Sequence, residues 1–187
     1  MRNRYHCWWR YQRQRKRSCT LITGRKEGNR GYCTTVTMAS GPSDSGVGSN
    51  LLCYAIRLGP GEEITTKLLE FVATHNLKAA FILSCVGSVQ SAKLRLAQAT
   101  AASRNHVLTL EGKHEIVSLV GTLSDGGHLH ASLADDKGGV VGGHVLGDMV
   151  VFTTAEVVIG ECSQLMFNRE MDTRTGFHEL VISPKLE

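Results

Sequence analysis

The sequence predicts an α+β domain: a compact, mainly antiparallel sheet or partly closed barrel packed with one principal helix. Three observations carry that expectation. Ala79 to Val89 (AAFILSCVGSV) is a nearly continuous apolar run, as in a strand buried on both faces at the centre of a sheet. Only one segment, opening at Glu62, spaces its apolar residues at the helical period. Elsewhere, short β-type runs are punctuated by glycine, giving one helix and about eight strands. The 187 residues, 42% of them apolar, suffice for one core.

In chain order, Leu51 to Leu58 (LLCYAIRL) reads as the first strand, stopped by Gly59-Pro60-Gly61. Glu62 and Glu63 then sit at the positive end of a helix dipole, and Ile64, Leu68, Leu69 and Val72 form one apolar stripe. Asn76 is the expected end. After the central strand, Gly87-Ser88 reads as a bend or as backbone amides open to an anion. Ala92 to Ala97 alternates like a half-exposed strand, and Ala99 to Asn105 reads as a loop. Val107 to Leu110 and His114 to Leu123 carry two strands separated by Glu111-Gly112-Lys113. Met149 to Ile159 is strand-like again. Ser163 to Phe167 and Gly176 to Ile182 close the domain around a polar turn, Asn168 to Thr175. The domain is thus expected over residues 51–183.

Charge divides the chain. Residues 1–37 hold ten Lys/Arg against one acid, Glu27, a formal +9, while the remainder sums to −5. The folded part is mildly acidic, which argues against a surface that grips phosphate backbone as a whole. The basic segment has no periodicity and reads as disordered in solution. Gln14-Arg15-Lys16-Arg17 suits nuclear import or a nucleic-acid arm, and the Arg-rich, acid-poor composition suits a mitochondrial transit segment. A third reading, which we prefer, makes it an upstream extension with the working start at Met38, before a Gly/Ser-rich linker over 38–50. No apolar run reaches the ~18 residues of a membrane helix. Six cysteines without a CxxC pair predict a reducing, intracellular compartment, with Cys53 and Cys85 as small buried hydrophobes.

The chemistry concentrates in Gly121 to Gly147. On an extended strand His128 and His130 project from one face while Leu129 points to the other. The acidic turn Ala134 to Gly139 lets the strand carrying His144 fold back beside them. Three neutral imidazoles on one sheet face can hold a divalent ion such as zinc with one position open; the alternative is three polar residues at a sheet edge. His75, His106 and His178 read as surface residues. His114 either lines the same cavity or is a polar strand end. Glu115 is the candidate acid or base, and it must be paired or neutral if it points inward. There is no GxSxG, P-loop, GxGxxG in a βαβ setting or HExxH, so a nucleophile or nucleotide site has no sequence support.

The order of these blocks resembles the PPC (plants and prokaryotes conserved) domain. The carrying residues are Tyr54 to Leu58 with Gly61 to Ile64, Ile82 to Val89, Glu111 to Gly121, Gly127 to Leu133, Gly142 to Val145 and Val151 to Gly160. The resemblance implies a compact domain that assembles as a homotrimer. It also implies a metal, most simply zinc, at His128, His130 and His144, or small-ligand binding there. Asp125, Asp136 and Glu115 are the candidates to fix the ring tautomers. In plant relatives the domain follows an AT-hook and serves trimerisation and partner binding in the nucleus. No Arg-Gly-Arg-Pro occurs here, which weighs against direct binding of AT-rich DNA.

Overall fold

The computed structural model describes residues 46–97 and 106–185, so the expectations for residues 1–37, most of the linker and the loop 99–105 lie outside the described residues. The described chain runs β1 (Leu51–Leu58), α1 (Ile64–Thr74), β2 (Ala80–Arg95), β3 (Val107–Thr122), β4 (His128–Ala134), β5 (Val140–Cys162), β6 (Leu165–Asp172) and β7 (Phe177–Pro184). Five strands form one antiparallel sheet in the order β1-β5-β2-β3-β4. β4 also pairs with β5, so β5, β2, β3 and β4 close a circuit of ladders.

The one helix is short, 11 residues, and the sheet supplies most of the core. Glu63 caps it by accepting from Thr66 N at 2.6 Å, and its other oxygen accepts from Met149 N at 3.1 Å. Helix start and β5 are thereby joined through one carboxylate. Ile64, Leu68 and Val72 bury the predicted stripe, while Leu69 stays half-buried. Asn76, at φ 53°, takes the left-handed conformation that ends the helix.

Fewer, longer strands replace the expected set. β2 joins the central run to the alternating run, β3 spans Gly112, and β5 runs 23 residues through Gly147. Gly112 (φ 96°) and Gly147 (φ 123°) kink a continuing strand where the sequence suggested a break, because a single left-handed residue can be absorbed without ending the ladder. β2 does lie between β5 and β3, but Leu83 and Val86 are 43% and 55% exposed, so it is not buried on both faces. Gly87-Ser88 is an irregularity in the β2–β5 register, with Ser88 Oγ held 2.7 Å from Thr153 Oγ1. That is the bend. The last two strands form a separate two-stranded sheet instead of closing the main one, because each pairs only with the other. Cys85 is buried as expected, and burial pushes its thiol up to about 11. Cys53 is exposed, because it falls on the outward side of an edge strand.

Candidate metal centre

Backbone register assembles the histidines. The β4–β5 turn is fixed by Asp135, whose Oδ1 accepts from Lys137 N at 2.9 Å and Gly139 N at 2.7 Å. That turn sets His130 directly opposite His144, and residues opposite each other across a ladder point to the same side. His128 lies two residues before His130 on the same face, and Leu129 between them is 4% exposed in the core. Gly143 lets the strands close up: a Cβ there would stand 2.6 Å from the Arg95 carbonyl oxygen. Gly121, at φ 136°, is likewise pressed against the His128 carbonyl, where no side chain fits.

The three rings come together. Their centroids are 5.1 Å (His128–His130), 4.9 Å (His128–His144) and 5.4 Å (His130–His144) apart. Nε2 of His128 and Nε2 of His130 are 3.0 Å apart, and one ligand atom from each of the three lies within 4.8 Å of the others. Two zinc–nitrogen bonds of about 2.0–2.1 Å at a tetrahedral angle separate their nitrogens by about 3.3 Å, so small ring rotations suffice. His144 Nδ1 is buried with no hydrogen-bond partner among the described residues. A buried, unpartnered nitrogen on one ring of a three-imidazole cluster fits a cation better than it fits an unadorned sheet edge.

The electrostatics favour the neutral form of two of the rings, His144 and His128. Burial, then the Arg95 guanidinium, then His128, His130 and Arg169, hold His144 down to about 4. Burial first, then Arg169 and His130, also lower His128, with Glu179 opposing. Neutral imidazole is the form that ligates metal.

The other candidates lie elsewhere. Glu115 is exposed on β3, five residues before Val120, the partner of His130, or roughly 17 Å along a strand. His114 precedes it, its Nδ1 2.9 Å from Gly112 O, and it lines neither of the two cavities beside the cluster. His75 stacks on Phe71, and His106 is exposed. Asp136 is exposed in the turn, and Asp125 accepts from Arg169 N at 2.6 Å, which ties it to β6.

Sequence reasoning missed the surroundings of the cluster. An open cleft of about 300 Å³ beside it is lined by Val120, Gly121, Thr122, His128, His130, Arg169, Glu179 and Leu180. On the other side a cavity of about 40 Å³ reaches His144 and Thr65 of α1. Arg95 pairs with His144 across β2 and β5, a pairing that has no local signal in the sequence.

Fold and site together define a small antiparallel β-domain with three imidazoles gathered on one hairpin. The chain belongs to the family of the Plants and Prokaryotes Conserved (PCC) domain, whose model matches residues 46–163. The family resemblance read from the sequence is therefore borne out. The chain is 39% identical to a bifunctional protein GlmU from Synechococcus over 136 residues, 72% of this chain and 21% of that protein. It is 32% identical to AT-hook motif nuclear-localized protein 2 of Arabidopsis thaliana over 151 residues, 76% of this chain and 44% of that one. It thus spans less than half the length of these curated relatives. A metal-containing protein from Archaeoglobus fulgidus superposes with a TM-score of 0.60 at 25% identity, covering 74% of this chain and 99% of that one.

Proposed function

We propose that the domain is a homotrimeric metal-binding module in which His128, His130 and His144 hold one divalent transition metal, most simply zinc. One observation carries it: three imidazoles from a single rigid hairpin place their ligand atoms within 4.8 Å of one another. The metal-containing relative supports the same reading. A bound zinc would act as a Lewis acid with one position open to water or a small ligand. The chain's part is to present neutral rings, fix them through the Asp135 turn and leave the cleft side open.

Assembly is supported by apolar residues left in the open on the paired strands β2 and β3. Leu83, Val86 and Val117 are between 43% and 58% exposed. Surface of this kind marks interfaces.

Elemental analysis of the chelator-free full chain tests the site. About one metal ion per chain, lost in the His128→Ala/His130→Ala/His144→Ala variant, is the expected result. No metal after zinc is supplied sinks it. Light scattering tests the assembly, expected at three times the chain's 20.4 kDa.

A second reading, favoured by the nuclear plant relative and by the basic residues 1–37, is a non-catalytic interaction scaffold associated with chromatin or DNA. Nuclear retention that depends on Arg13, Arg15, Lys16 and Arg17, in a chain holding no metal, would select it.

A further inference from the structure

Two guanidinium groups converge on the histidine cluster from different directions. Arg95 reaches it from β2, where it is the register partner of His144, and its Cζ stands 5.6 Å from the centre of the Phe177 ring. Arg169 reaches it from β6, its Nη1 donating to His178 O at 3.0 Å and its Nη2 to Thr122 Oγ1 at 3.2 Å. Neither has a carboxylate within 4.0 Å among the described residues, where the ion pairs are Lys67–Glu70, Lys93–Asp148 and Arg174–Asp172. Glu179 is the one acid that lines the cleft, and Thr175 Oγ1 already donates to it at 2.8 Å.

Charge balance then asks for a ligand. Three neutral imidazoles contribute no charge to offset a divalent cation, and two uncompensated guanidiniums add to it. A single carboxylate leaves the site strongly positive. The cleft has an apolar half as well: Val120 and Leu180 line it while 50% and 39% exposed. That half offers no side-chain donors to the several oxygens of a phosphate, but it suits a short hydrocarbon.

Resting on the metal reading, we propose that the cleft binds a small monocarboxylate, its carboxylate recognised by Arg169 and its apolar body laid on Val120 and Leu180. Arg169, Glu179 and Leu180 all follow residue 163, where the match to the family model ends. The β6–β7 hairpin is therefore the element that sets which acid is accepted.

The test loads the full chain with cobalt(II) and follows its visible absorption during titration with butyrate, acetate and inorganic phosphate. Saturable change with butyrate is expected, acetate binding more weakly for want of the apolar body and phosphate more weakly still. Arg169→Gln should retain its cobalt and weaken butyrate by about tenfold or more, the scale of one lost charge-assisted hydrogen bond. Butyrate binding equal in parent and variant overturns the proposal, as does phosphate binding more tightly than butyrate. Should Arg169→Gln fail to fold by circular dichroism, Leu180→Asn supplies the second arm. Butyrate is expected to fall to the level of acetate, and an undiminished preference refutes the apolar contact. A chain that takes up no cobalt overturns the metal reading instead, and calorimetric titration of butyrate into that metal-free chain still decides the arginine contact.

Discussion

His144 is the residue at which burial and charge act together. In the unfolded chain its imidazole titrates near 6.5; folded, it is held down to about 4. Between those values the unfolded chain carries a proton that the folded chain lacks. Stability of the metal-free protein should therefore fall as pH drops from about 6.5 towards 4, level off below, and gain nothing from this group above 6.5. Melting temperatures across that range check it, with a shallower fall expected in His144→Ala. The groups acting on the ring are Arg95, Arg169, His128 and His130. Gly121 makes a second prediction at this scale. Gly121→Ala puts a Cβ against the His128 carbonyl at a φ that L residues avoid. A loss of about 1–3 kcal/mol in urea denaturation is expected, with weakened metal uptake because the displaced carbonyl belongs to a ligand residue.

At the scale of elements, the helix depends on a cap that also reaches the sheet. Glu63→Ala removes the bonds to Thr66 N and to Met149 N, and should cost about 1–2 kcal/mol by chemical denaturation. Leu68→Ala empties a fully buried position and should cost about 2–5 kcal/mol in the same assay. Both helix ends were legible in the sequence, because Glu63 and Asn76 are local signals. The strand boundaries were not. Gly112 and Gly147 look like turns in one dimension, and only pairing partners on both sides show that the strand continues. The site was legible where its residues were close in sequence: the spacing of His128 and His130 and the Asp135 turn sufficed. Arg169 and Glu179 were not: Arg169 falls in Asn168 to Thr175, which reads as a polar turn, and no local signal places the strand carrying Glu179 beside the histidines. Glu115 is near in sequence to the glycine-histidine run, but the register sets it five positions along β3 from Val120, the partner of His130.

At the scale of the molecule, β5 joins more elements than any other strand among the described residues. It pairs with β1, β2 and β4, carries His144 and takes the second bond of the helix cap. Among the described residues no helix is long and apolar enough to cross a membrane. The trimer is a prediction of this scale. If Val86→Lys or Val117→Lys, each on an exposed site, lowers the mass by light scattering while the melting temperature of the chain is kept, the β2–β3 surface is the interface. Unchanged mass would move the interface elsewhere.

The pairing of β1 with the far end of β5, Leu51 opposite Cys162 and Leu58 opposite Ala155, also has a consequence during synthesis. At about 5–20 residues per second a ribosome needs roughly 5–20 s to deliver the partner after β1 has emerged. For that interval the strand has nothing to pair with, and its backbone edge and Leu58, which folding buries, are open to chaperones or to neighbouring nascent chains. Yield should therefore respond to co-expressed holdase more in a slowly translating host, where that interval is longest, than in a fast one.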